Sequence, residues 1–71
     1  MEQGTVKWFN GAKGYGFITG DDGEEIFFHA TDVAREFRVG RGESPFHDGQ
    51  RVEFEVQSGP RGAHASEVRA A

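Results

Sequence analysis

The cleanest alternation of apolar and polar residues runs from Arg51 to Gln57. Val52, Phe54 and Val56 fall on one side of a predicted strand, and Arg51, Glu53, Glu55 and Gln57 on the other. The same period of two recurs elsewhere with an odd partner on the outer side. Over Glu25 to Ala30, Ile26 and Phe28 share one face while Phe27 and His29 share the opposite one. Over Gly14 to Thr19, Tyr15 and Phe17 stand on one surface and Ile18 turns to the other, and Gly14 and Gly16 are expected to leave the approach between the rings uncovered. Thr5 to Asn10 is β-branched and aromatic and reads as a first strand. Val6 and Trp8 have the same parity there, so a flat strand with Val6 in the core would bury Trp8 too. Exposing both Lys7 and Trp8 requires a bulge or a strong coil. A short last strand is expected over His64 to Arg69, with Val68 inward.

Turn signals separate these segments. Asn10-Gly11, Gly20 to Gly23 and Ser58 to Gly62 are rich in residues that accept positive φ or break a ladder. Thr31 to Gln50 is less regular. Thr31 to Phe37 reads as one helical turn with Thr31 or Asp32 as its N-cap. Arg35, Arg38 and Arg41 recur every third residue, as a solvated loop or as phosphate contacts. Of Phe37 and Phe46, one is expected to close the bottom of the core and the other to face a ligand. So long a connection in so small a chain is commonly functional.

Five short strands with turns between them predict an all-β fold, a closed antiparallel barrel with a long loop between strands three and four. Closure also removes the sheet edges that invite aggregation. The expected core is Val6, Phe9, Ile18, Ile26, Phe28, Val33, Val52, Phe54, Val56 and Val68. At 71 residues the chain is expected to form a single domain, residues 1–71, with a thin core.

Composition narrows the chemistry. There is no cysteine, so disulfides and thiolate metal sites are excluded. His29, His47 and His64 lack the spacing of a metal pair, and neither a metal nor catalysis is expected. The first residues do not read as a signal peptide, and no apolar run approaches a membrane span, so a cytoplasmic setting is expected. The net charge of −4 argues against binding by bulk charge. Acids gather at Asp21-Asp22, Glu24-Glu25 and Glu53/Glu55, whereas Lys7, Lys13 and Arg61 lie near aromatics or in glycine turns. Flat rings edged by a few cations suit the stacking of unpaired nucleobases. The competing expectations are a core strand that buries its aromatics, and an SH3-like face for a proline-rich peptide.

Three ordered segments carry a resemblance. Gly4 to Asn10 (GTVKWFN), Lys13 to Ile18 (KGYGFI) and Ile26 to His29 (IFFH) resemble the signature of bacterial cold-shock proteins, the last two resembling their ribonucleoprotein motifs. Asp48 to Phe54 and Gly59 to Gly62 match in order and spacing. The resemblance implies an OB-fold barrel that binds single-stranded RNA and DNA, with a preference for pyrimidine-rich strands. It also implies an ATP-independent RNA chaperone with effects on transcription and translation. By position, Trp8, Tyr15, Phe17 and Phe27 become stacking platforms, and His29 stacks or hydrogen-bonds. Lys7, Lys13 and Arg61 meet phosphates or base edges, while Asn10 and Glu25 hydrogen-bond bases. His64 occupies the place of a polar base contact. No cofactor, membrane or small-molecule substrate is implied, and a monomer is expected. Two departures stand out. Ala30 replaces an aromatic that relatives often carry, and the loop before strand four is longer than usual, with Phe37 as candidate for the ring expected there.

Overall fold

The conflict at Val6 and Trp8 is resolved by a bulge. In the computed structural model, which describes residues 1–60 and 62–71, Val6 pairs with Ile18 and Trp8 with Phe17. Two residues of advance on one strand meet one on the other, and Lys7 is the extra residue. Val6 is buried while Trp8 reaches the outer surface, half-buried.

Five strands follow: β1 (Glu2–Asn10), β2 (Tyr15–Gly20), β3 (Glu25–His29), β4 (Arg51–Gly59) and β5 (Gly62–Ala70). They close into a barrel in the order β1-β2-β3-β5-β4. β1–β2, β2–β3, β1–β4 and β4–β5 pair antiparallel, as expected. β3 meets β5 in parallel, at Phe27 opposite His64, so the barrel is mixed rather than wholly antiparallel. A parallel bridge from Val33 to Val68 extends that seam. The long connection holds two single-turn 3-10 helices, Ala30–Asp32 and Arg35–Phe37. The N-cap of the first is His29, not Thr31 or Asp32; Asp32 instead accepts the His29 N–H from three residues on, at 3.0 Å. No helix among the described residues is long and apolar enough to cross a membrane.

The core comprises Val6, Ile18, Ile26, Phe28, Val33, Phe46, Val52, Phe54, Ala65 and Val68. Phe9 only flanks it, half-buried, with its ring 5.4 Å from that of Phe28. Val56 is a correction: it is 39% exposed. β1 pairs with β4 only as far as Phe54, so among the described residues the rest of β4 pairs with β5 alone. Alternation continues there, but among the described residues no second layer buries Val56. Phe46 is the ring that closes the bottom of the core. Phe37 is half-buried against it at 6.1 Å, so it packs on the core rather than standing free.

At the barrel end that holds the β2–β3 turn, polar groups tie three elements. Arg51 forks onto Asp21 with Nη1 to Oδ1 at 2.7 Å and Nη2 to Oδ2 at 3.0 Å. It also donates to Thr5 Oγ1 and Gln3 Oε1, both at 3.2 Å. The Arg51 hydrogen bond holds the Asp21 carboxyl below its ordinary value of 3.8.

Candidate nucleic-acid interface

β2 and β3 run antiparallel with Phe17 opposite Phe27 and Tyr15 opposite His29. Paired residues share a face, so three rings and an imidazole come to one surface. The bulge in β1 adds the fourth ring. Trp8 lies 5.6 Å from Tyr15 and 5.3 Å from Phe17, centroid to centroid. Phe27 lies 5.7 Å from Tyr15 and 5.8 Å from Phe17. The contacts close a circuit Trp8–Tyr15–Phe27–Phe17, with interplanar angles from 30° to 74°. Edge-to-face and tilted contacts are favourable for aromatic pairs. They also leave ring area turned outward: Phe27 is 37% exposed and the other three are half-buried.

The glycines work differently from the sequence expectation. Gly16 does not open a path between the rings; it is buried and faces inward, between Phe9 of β1 and Phe28 of β3. A Cβ there would lie 2.8 Å from Phe9 Cα and would clash with the Trp8 carbonyl oxygen. The missing side chain lets β1 press onto β2, and this approach brings Trp8 to Tyr15 and Phe17. Gly14 has φ +76° and turns the chain into β2.

Polar residues ring the aromatics. Lys7 and Glu25 form an ion pair across the rim, each about half exposed. Binding through either one must therefore break or share that pair. An exposed pair of this kind is worth about 0–1 kcal/mol, well within what a phosphate or base contact replaces. Asn10 is committed to its turn: Oδ1 accepts from the Lys13 N–H at 3.0 Å and its carbonyl from the Gly14 N–H at 2.7 Å. Lys13 is exposed beside it. His29 Nδ1 accepts the Thr31 N–H at 3.2 Å, which places the proton of the neutral ring on Nε2. His64 lies opposite Phe27, with Nε2 3.8 Å from Asp32 Oδ1. The sequence offers Asp32 only as an N-cap and not as a partner of His29 and His64, although its position three residues after His29 is a capping spacing.

The structure thus gathers Trp8, Tyr15, Phe17, Phe27, His29, Lys7, Glu25 and His64 on one side. Asn10 and Lys13 sit at its edge. Phe37 is not in contact with the four rings, and Arg61 lies outside the described residues. Arg38 is also accounted for: Nε donates to the Val33 carbonyl at 2.9 Å and Nη2 to the Thr31 carbonyl at 3.0 Å. Among the described residues, no cluster of His, Asp and Glu could hold a metal ion.

Comparison with known proteins agrees with this arrangement. A family model described as the "cold-shock" DNA-binding domain matches residues 2–71. The chain is 44% identical to cold shock protein CspC of Bacillus subtilis, with all of both chains covered. It is 49% identical to cold shock-like protein CspA of Stigmatella aurantiaca, covering 97% of this chain and 96% of that one. To cold shock-like protein CspD of Escherichia coli K12 the identity is 46%, over 96% of this chain and 86% of the relative.

Proposed function

We propose, from the premise that this chain belongs to the cold-shock DNA-binding domain family, that it binds single-stranded RNA and DNA as an RNA chaperone. The family is one of nucleic-acid-binding domains, and that membership places the protein among binding proteins rather than enzymes. The reading is carried by one observation, the circuit of Trp8, Tyr15, Phe17 and Phe27 on an outer face.

The mechanism follows from magnitudes. Stacking a base on an aromatic is worth roughly 1–3 kcal/mol, so four rings supply about 4–12 kcal/mol before ordering costs. Lys7, Lys13 and Arg61 are the phosphate contacts. Three such contacts give a log–log salt slope near −2, at about −0.7 each. Stacking is the larger contribution, and a chain of net charge −4 can bind by it. Glu25, once released from Lys7, and His64 offer hydrogen bonds to base edges. A strand held with its bases splayed cannot pair, so weak hairpins melt without ATP. Pyrimidine-rich strands are the preferred ligands. The chain acts as one domain over residues 1–71, as a monomer in the cytoplasm.

Trp8 is the sole tryptophan, and its fluorescence reports the site directly. Oligothymidine is expected to quench it and a polyproline peptide to leave it unchanged. Absence of quenching by any oligonucleotide defeats the reading. A salt slope steeper than about −4 transfers the leading role from stacking to charge.

A further inference from the structure

Among the described residues, His64 is the one imidazole whose ring approaches a carboxylate. It stands on β5 opposite Phe27 of β3 and Gln57 of β4. Paired residues share a face, so the imidazole borders the ring surface. Its Nε2 lies 3.8 Å from Asp32 Oδ1, too long for a hydrogen bond but close for an electrostatic contact. The carboxylate is held in place from both sides. Asp32 Oδ2 accepts the His29 N–H at 3.0 Å. The next residue, Val33, bridges to Val68 of β5, and the Ala34 N–H donates to the Val68 carbonyl at 2.8 Å. One oxygen of Asp32 thus serves the fold while the other is aimed at His64. The Asp32 side chain is 19% exposed and that of His64 36%, so water screens this pair less than the half-exposed Lys7 and Glu25.

The other charged and titratable groups around His64 are committed or more distant. On β3, Glu25 and His29 flank Phe27; Glu25 is paired with Lys7, and His29 Nδ1 accepts the Thr31 N–H. On β4, Glu55 sits opposite Ser66, two residues along β5 from His64. Farther along β5, Arg69 reaches Glu36 of the second 3-10 helix at 3.5 Å. Arg61, in the turn between β4 and β5, lies outside the described residues. The far nitrogen of the ring, Nδ1, lies on the Gly59 side, where a Cβ would come within 4.0 Å of it. Glycine leaves that nitrogen uncovered, and no hydrogen bond of the described residues engages it.

A neutral imidazole has one N–H and one acceptor nitrogen. The carboxylate draws the N–H to the near nitrogen, Nε2, and leaves Nδ1 as an acceptor. A base lying on Phe27 then meets an acceptor at its edge, and the group that matches it is a ring N–H such as N3–H of thymine or uracil. Protonation makes both nitrogens donors, and the edge then seeks a carbonyl oxygen instead. We infer that Asp32 is a positioning residue for base selection. It holds His64 with Nδ1 as an acceptor, so the face selects bases that carry an imide N–H at neutral pH and loses that selection in acid. The inference rests on the nucleic-acid reading and adds to it a source of selectivity. Stacking accepts any base, so choice among bases has to come from an edge contact.

The test uses the full chain and Trp8 quenching by two strands, an oligothymidine and the same strand methylated at N3 of every base. Methylation removes the N3–H and keeps both carbonyl oxygens. Imidazoles change charge between about pH 5 and 8, so affinities are compared at about pH 8 and about pH 5.5. The preference for the unmethylated strand is expected to fall about tenfold on acidification, the worth of one hydrogen bond. His64→Gln should make the preference the same at both pH values. Asp32→Asn keeps an oxygen for the His29 N–H and removes the charge; it should lower the preference at about pH 8 by about threefold. A role confined to capping would change stability and leave the preference alone. Quenching with a preference that is constant with pH, or a pH effect that survives in His64→Gln, overturns the inference and leaves the ring face standing. A preference in Asp32→Asn equal to that of the parent overturns the part given to Asp32. Absence of quenching by either strand removes the nucleic-acid reading itself, and this inference with it.

Discussion

The outer side of β2–β3 and the outer side of β4 are both surfaces of one small barrel, built from similar strands, yet they obey different rules. On β4 the outward positions are Arg51, Glu53, Glu55 and Gln57, and Arg51 is bound into the fold through Asp21. On β2 and β3 the outward positions include Tyr15, Phe17, Phe27 and His29. The first set is what water and solubility require. The second exposes apolar area that folding alone would hide, and a protein surface seldom keeps such a patch without using it. The contrast shows that function is located where the outer face departs from the polar half of the alternation, while the inner face stays ordinary throughout.

The contrast can be broken most severely by removing rings. Phe17→Ala with Phe27→Ala is expected to cost about 2–6 kcal/mol of oligothymidine affinity, measured by Trp8 quenching. Glu53→Ala with Glu55→Ala should change that affinity by under about 0.5 kcal/mol. Equal losses in the two doubles would erase the distinction between the faces. Gly16→Ala attacks the support beneath the rings. It should lower the unfolding free energy by about 1–3 kcal/mol in urea titration, because a methyl group must displace the β1 backbone.

Phe37→Ala separates packing from binding. The expectation is about 1–2 kcal/mol of lost stability, part of the cost of truncating a fully buried phenylalanine, with affinity unchanged. A loss of affinity without a loss of stability would return Phe37 to the binding surface. The smallest effect is the acid dependence of the β4 side. A carboxylate held below its ordinary value stabilises the fold above the unfolded value, and that contribution disappears as pH falls through the depressed one. The difference in melting temperature between the parent and Asp21→Asn should therefore be constant from neutral pH down to about 4 and shrink below it. A difference that grows on acidification would contradict the Arg51 pairing.

Much of this was legible in the chain because a strand's period of two is rigid. Two residues apart means the same face, so Tyr15 with Phe17 and Ile26 with Phe28 could be placed before any fold was known. The parity conflict between Val6 and Trp8 even required the bulge. What alternation does not contain is the neighbour. Nothing in β3 or β5 states that they meet in parallel, because that pairing joins strands far apart in sequence. Nothing in β4 states that β1 ends beside Phe54, and so Val56 was placed in a core that does not reach it. Gly16 was misread for the same reason, since its role is set by the strand lying on it. The close approach of the long connection to the β1–β2 turn was beyond reach, because it depends on how Gly42 and Glu43 fold back onto Gly11.

Each member of the Trp8–Tyr15–Phe27–Phe17 circuit leans on two others, so few side-chain rotamers remain to be frozen when a ligand arrives. The entropic cost of association then falls mainly on the incoming strand. A flexible strand with few competing partners loses less on ordering than one already folded on itself. The rigidity of four side chains thus sets a thermodynamic threshold, below which a transcript is held open and above which its own base pairs prevail.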